Sequence, residues 1–82
     1  MEQQFVLIQH YINGYGVPRW CAEVFCEDPK DLAQYIESNL DDLYHQLDDE
    51  YDHYSIERRI GSYCEEYFHG SLEELIDTMR NQ

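Results

Sequence analysis

Two runs of aromatic and β-branched residues near the N-terminus flank a cluster of turn formers. The first run is Phe5 to Ile8, the second is Trp20 to Cys26, and Asn13 to Pro18 lie between them. Residues of these types are enriched in β-strands, and two such runs separated by turn formers are typical of a hairpin. The pattern therefore predicts an N-terminal β-hairpin.

The next apolar positions recur in steps of three or four. They are Leu32, Ile36, Leu40, Leu43, Leu47, Tyr51 and Tyr54. An amphipathic helix of about 3.6 residues per turn produces this spacing. Asp28-Pro29 marks the start, because the carboxylate caps free N–H groups and proline suits the first helical position. We therefore predict one long helix, either continuous or kinked after Leu47.

Two serines are candidate N-caps of further helices. After Ser55, a second helix would end at Gly70 and bury one side, formed by Ile56, Ile60, Tyr63, Cys64 and Tyr67. Ser71 and Glu74 form a capping box that opens a short third helix. The predicted fold class is α+β: a single domain, residues 1–82, whose N-terminal β-hairpin packs against two or three helices, the first long and acidic.

The chain is strongly acidic. Its 82 residues include 18 Asp and Glu against 5 Lys and Arg, which gives a formal net charge of -13. Such a protein repels phosphate backbones, so we expect no direct binding to DNA or RNA. The same charge speeds encounter with a basic protein surface, and added salt weakens that association.

The acids of the predicted long helix lie opposite its apolar stripe. At about 100° per residue they form two rows, and carboxylates spaced along a rigid helix imitate the phosphates of a DNA strand. With neighbouring tyrosine and glutamates, the candidate partner-binding residues are Glu37, Asp41, Asp42, Asp48, Asp49, Asp52, Tyr44, Glu65 and Glu66. The alternative is a solvated helix face that only promotes solubility. Two costs argue against this alternative. Like charges four residues apart destabilise a helix, and negative charges near the helix C-terminus interact unfavourably with the helix macrodipole.

The cysteines and histidines do not form a convincing metal site. Cys21 and Cys26 would lie on opposite faces of a strand, and Cys64 would be buried in the second helix. The sequence contains neither a recognisable nucleophile and base pair nor a phosphate-binding glycine loop. We therefore expect no enzyme activity, no catalytic residue, no metal and no cofactor.

The sequence also bears on location. The N-terminus lacks a basic segment followed by an apolar run, and no stretch approaches the roughly 18 apolar residues of a membrane span. The three cysteines are an odd number, which favours a reducing compartment. We therefore expect a soluble protein of the bacterial cytoplasm with no membrane role.

The N-terminal part of the chain carries a resemblance. Tyr11-Ile12-Asn13-Gly14 is followed by Trp20 and then by Asp28-Pro29, ahead of an acidic segment. These residues are similar to the opening of the ArdA antirestriction family, although the chain lacks that family's length. In acidity and small size the chain also resembles phage and plasmid DNA-mimic inhibitors, including anti-CRISPR proteins. The resemblance implies a mode of action, in which the protein occupies a DNA-binding or RNA-guided effector surface in place of nucleic acid.

Three functions remain open at this point. The leading hypothesis is a non-enzymatic inhibitor whose acidic helix occupies the basic nucleic-acid-binding surface of a nuclease or CRISPR effector. The first alternative is an immunity protein or antitoxin that neutralises a basic toxin. The second is an acidic adaptor or oligomerising subunit that assembles, for example as a homodimer, through the edge of the hairpin.

Overall fold

The computed structural model describes residues 3–48 and 50–82. The elements in chain order are β1 (Gln3–Ile12), β2 (Pro18–Cys26), α1 (Pro29–Ser38), α2 (Leu40–His45), β3 (His53–Ile60), β4 (Tyr63–Gly70) and α3 (Leu72–Arg80). The strands form one antiparallel sheet in the order β2-β1-β3-β4. The fold class is therefore α+β, as predicted.

The N-terminal hairpin is confirmed. Strands β1 and β2 pair from Phe5 opposite Cys26 to Ile12 opposite Pro18. The side-chain oxygen of Asn13 accepts hydrogen bonds from two backbone N–H groups of the connecting loop, at 2.9 and 3.1 Å. The loop is thus closed by one of the turn formers that predicted it.

The predicted long acidic helix is wrong, although its start is correct. Asp28 caps α1 by accepting a hydrogen bond from the N–H of Lys30 at 2.9 Å. The helix ends at Ser38, because Asn39 leaves helical geometry and its side chain donates to the carbonyl of Tyr35 at 2.8 Å. A short second helix, α2, follows.

The chain then leaves helical structure after His45. The acids that follow would extend a helix whose C-terminal dipole opposes negative charge, and like charges four residues apart would repel one another. Those costs are relieved because Asp48 and Asp52 lie in the loop between α2 and β3. Tyr54, the last member of the apolar stripe, is buried in β3 instead.

The second predicted helix is also wrong, because residues 55–70 lie in the β3–β4 hairpin. Ile60 pairs with Tyr63 across a two-residue loop that begins with Gly61, whose φ is 61°. Glycine at the first position of such a loop suits a tight hairpin turn. Cys64, expected in the core, is exposed on β4.

The third helix is confirmed, capping box included. The hydroxyl of Ser71 accepts from the N–H of Glu74 at 3.2 Å, and the Glu74 carboxylate accepts from the N–H of Ser71 at 3.1 Å. The buried residues of α3 are Leu72, Leu75, Ile76 and Met79. The apolar side of α3 therefore faces the core beside α1.

The molecule has two layers, consistent with a shortest dimension of 16 Å. Helices cover the sheet face that carries Phe5, Leu7 and Ile56, which belong to the main core. The register of the strands places the alternate side chains on the other face, here named the open face. It includes Val6, Ile8, His10, Trp20, Phe25, Ser55, Glu57, Arg59 and Glu66. None of the helices in residues 3–48 and 50–82 is long and apolar enough to cross a membrane.

Candidate acidic partner-binding surface

Three of the predicted site residues converge at the bend between α1 and α2. Glu37 in the last turn of α1, and Asp41 and Asp42 in the first turn of α2, line an open surface cavity of about 420 Å³. The break at Asn39 directs α2 away from the axis of α1. Acids in a first helical turn are also favoured by the helix dipole. Glu37, Asp41 and Asp42 therefore lie around one surface cavity at the break between the two helices.

Tyr44 extends this surface towards α3. Its hydroxyl donates a hydrogen bond to the carboxylate of Glu73, in the first turn of α3. The bond raises the pKa of Tyr44 and lowers that of Glu73, because it stabilises the protonated phenol and the ionised carboxylate. We name Glu37, Asp41, Asp42, Tyr44 and Glu73 the acidic surface. Glu73 was not among the predicted site residues, although its position two residues after the Ser71 cap is one where a helix side chain is commonly exposed.

One basic side chain reaches the acidic surface. The guanidinium of Arg80, in the last turn of α3, forms an ion pair with the carboxylate of Glu37. This hydrogen-bonded partner raises the pKa of Arg80. Both side chains are about half exposed, and an ion pair this open to solvent contributes little to stability. Asp41 and Asp42 are also exposed, so the surface keeps an excess of negative charge.

The other acids of the predicted helix rows do not continue this surface as a line. Asp48 lies in the loop between α2 and β3, and its backbone N–H donates to Oδ2 of Asp52 at 3.0 Å. The carboxylate of Asp52 therefore helps to hold the loop together. Asp49 lies outside the described residues. The two straight carboxylate rows predicted from helical spacing are wrong.

Glu65 and Glu66 are separated by the sheet itself. They are consecutive in β4, so their side chains point to opposite faces. Glu65 forms an ion pair with Arg58, its cross-strand partner on β3. Glu66 lies on the open face, where a carboxylate oxygen is 3.8 Å from Nδ1 of His69. Neither glutamate belongs to the acidic surface.

The chemistry that the acidic surface can offer follows from its side chains. Across residues 3–48 and 50–82, no group of three or more His, Cys, Asp or Glu side chains is placed to hold a metal ion. Burial is the main reason that the thiol pKa values of Cys21 and Cys26 are raised, which disfavours the reactive thiolate. What the acidic surface offers is several carboxylates and an exposed phenol, groups that recognise cationic side chains.

No protein-family model, curated protein or solved structure matches this chain.

Proposed function

We propose that this protein is a non-enzymatic inhibitor that docks its acidic surface on the basic nucleic-acid-binding surface of a nuclease or CRISPR effector. The observation that carries the proposal is the convergence of Glu37, Asp41 and Asp42 around one open cavity, on a chain of net charge -13. Carboxylates pair with Lys and Arg through charge-assisted hydrogen bonds, and Arg engages them in bidentate geometry. A groove built to bind phosphates presents those cations.

The form of mimicry follows from the bend. The acids are grouped at one corner of the helical layer, so they imitate a cluster of neighbouring phosphates more than a long stretch of backbone. Tyr44 lies beside them with 41% of its surface exposed. Tyrosine supplies contact area with little loss of side-chain entropy, which suits the rim of such an interface. The proposal places the protein in the bacterial cytoplasm, where its free thiols would persist.

The proposal is tested with purified DNA nucleases and guide-loaded CRISPR effectors. Each enzyme is incubated with the protein before labelled DNA is added, and cleavage is followed at several salt concentrations. We expect inhibition by at least one enzyme, weakening steeply as salt rises. The protein and the DNA should compete for the same surface, so excess DNA should restore cleavage.

A matched pair of variants separates the acidic surface from net charge. Asp41→Asn with Asp42→Asn changes the net charge by the same amount as Glu27→Lys, a substitution at an exposed position before α1. The double variant should lose inhibition while Glu27→Lys keeps most of it. Equal loss in the two proteins would contradict a localised site. Circular dichroism checks that each variant retains its fold.

Two other functions make different predictions for the same measurements. An immunity protein or antitoxin would bind a basic toxin even in the presence of saturating nucleic acid. An adaptor would assemble through an edge strand of the sheet, where β2 and β4 are the outer strands. Light scattering at low and high salt tests the latter, because edge-to-edge pairing of backbones resists salt.

A further inference from the structure

The open face of the sheet contains a second cavity, on the side away from the helices. Its volume is about 280 Å³, and its lining consists of Ile8, His10, Trp20, Ser55, Glu57 and Glu66. The central-strand residue Ile8 is 3% exposed, whereas Trp20 on the edge strand is 61% exposed. The cavity therefore has a solid apolar floor and an aromatic wall that remains open to solvent.

The strand register gives the cavity two different ends. Trp20 lies opposite His10 at one end, and Glu57 lies opposite Glu66 at the other. Ile8 is buried between these two ends. A ligand that fills the cavity would thus contact the apolar residues Trp20 and Ile8 with one part and the two carboxylates with the other. That order matches a long side chain with an apolar stem and a cationic tip.

On the open face, one guanidinium of the chain itself already lies beside an aromatic ring and a carboxylate. The guanidinium carbon of Arg59 lies 5.2 Å from the ring centroid of Phe25, and its Nε donates to the carboxylate of Glu57 at 2.7 Å. Trp20 and Glu66 supply a second aromatic ring and a second carboxylate at the cavity. Among the described residues, the cavity lining includes neither lysine nor arginine. The cavity therefore has an aromatic ring and a carboxylate that can bind a cation, and the cation would come from another molecule.

We propose that this cavity binds an arginine side chain of a partner protein, with its methylene stem on Ile8 and Trp20 and its guanidinium at Glu66. Arginine fits better than lysine because its planar guanidinium bonds a carboxylate in bidentate fashion, whereas the lysine ammonium is a compact point charge. Glu57 adds negative charge at the same end while it retains its bond to Arg59. The site is on the opposite layer from the acidic surface, so the inference goes beyond the proposed function and does not depend on it.

His10 and Ser55 complete the wall of the cavity. Nε2 of His10 and the Ser55 hydroxyl share a hydrogen bond of 2.8 Å, and Ser55 is 4% exposed. Burial, assisted by the neighbouring His53, lowers the pKa of His10. The imidazole is therefore uncharged at neutral pH and does not repel an incoming cation.

Trp20 makes the site directly observable, because it is the only tryptophan in the chain. The probe is the peptide acetyl-Gly-Arg-Gly-amide, and its control is the same peptide with neutral citrulline in place of arginine. We expect saturable changes in Trp20 fluorescence, and in the amide resonances of Ile8 and Ser55, with the arginine peptide only. A peptide containing lysine should bind more weakly than the arginine peptide.

Two variants with the same change in net charge test the role of Glu66. Glu66→Gln should weaken peptide binding by about tenfold, the loss expected for a hydrogen bond to a charged group. Glu65→Gln, at the neighbouring residue on the other face, should leave it nearly unchanged. Circular dichroism and thermal melting confirm that both variants are folded.

Several results would overturn this assignment. Binding of the citrulline or lysine peptide as tightly as the arginine peptide would do so, as would equal effects of the two glutamate substitutions. Spermidine that displaced the peptide with higher affinity would assign the cavity to a small polyamine instead. The Asp41→Asn and Asp42→Asn protein should bind the peptide normally, so failure of one site leaves the other unaffected.

Discussion

The buried hydroxyl of Tyr54 donates to the backbone carbonyl of Leu43, with the two oxygens 3.1 Å apart. The same hydroxyl is 3.1 Å from the side-chain oxygen of Gln46, and Tyr54 is 2% exposed. These contacts join β3 to the end of α2. Because α2 has only 6 residues, it is too short to be stable by itself. The sheet thus holds the helix that presents Asp41 and Asp42.

We expect Tyr54→Phe to lower the free energy of unfolding by about 1 kcal/mol, because the Leu43 carbonyl loses one of its two donors and keeps only the N–H of Gln46. Urea denaturation followed by circular dichroism measures the change. Tyr44→Phe is the matched control, since the Tyr44 hydroxyl is at the surface, and its effect should be within about 0.5 kcal/mol. A loss for Tyr54→Phe as small as that expected for Tyr44→Phe would show that the bond from Tyr54 contributes little.

Local signals made part of this fold predictable. The Asp28-Pro29 start of α1 and the Ser71 capping box are read correctly because each depends on a few adjacent residues. The extent of the first helix could not be read from apolar spacing. Leu43 and Tyr54 both reach the core, as the spacing required. One does so from a short helix and the other from a strand. Tyr51 of the same predicted stripe is 43% exposed, so the spacing predicted burial only in part and did not predict the backbone geometry.

The same confusion between helix and strand affected the prediction of the candidate site residues. The helix predicted from Ser55 onwards was based on a serine N-cap and apolar spacing. The Gly61-Ser62 pair between two runs of strand-forming residues is the hairpin signal that this prediction did not use. On a helix, Glu65 and Glu66 would have been neighbours on one surface, whereas in a strand they face opposite ways. The open-face cavity could not be foreseen, because it depends on pairing between strands distant in sequence.

The turn of the second hairpin gives a sharp test of backbone conformation. Gly61 has a φ of 61°, in the left-handed region that L side chains enter at a cost of about 1 to 2 kcal/mol. Gly61→Ala should lower the free energy of unfolding by that amount. Gly14→Ala is the control, because a Cβ there meets nothing within 4 Å and its φ is not positive. Thermal and urea denaturation compare the two, and a tolerated Gly61→Ala would argue against this turn.

The imidazole stack on the open face predicts a pH dependence. The rings of His10 and His53 are 4.4 Å apart and 6° from parallel. Burial first, and then charge on His53, lower the pKa of His10 below its ordinary value of 6.5, while Glu66 acts in the opposite direction. At a pH between the pKa of His10 in the folded state and its pKa in the unfolded state, the unfolded chain binds more protons. The free energy of unfolding therefore falls as pH drops below 6.5. The decline ends below the pKa of the folded state.

NMR titration of the imidazole resonances checks this directly. The midpoint of His10 should lie below 6.5, and His53→Asn should move it upwards by removing the like charge. His10→Asn should flatten the fall in stability over the same pH range. A midpoint at or above the ordinary value would show that the ring is neither desolvated nor affected by its neighbour.

The capping box of α3 couples helix stability to acid. Hydrogen bonds from the backbone N–H and hydroxyl of Ser71 lower the pKa of Glu74 below its ordinary value of 4.5. A carboxylate with a depressed pKa stabilises the fold above that value, and the contribution is lost as pH falls through the folded pKa. Ser71→Ala should lower the free energy of unfolding by about 1 kcal/mol at neutral pH. It should also reduce the slope of the acid limb of the stability curve, because Glu74 loses the hydroxyl hydrogen bond that favours its ionised form while it keeps the larger contribution of the backbone N–H. Ser38→Ala, at the exposed end of α1, should change neither quantity appreciably, and urea denaturation from neutral to acidic pH distinguishes the two serines.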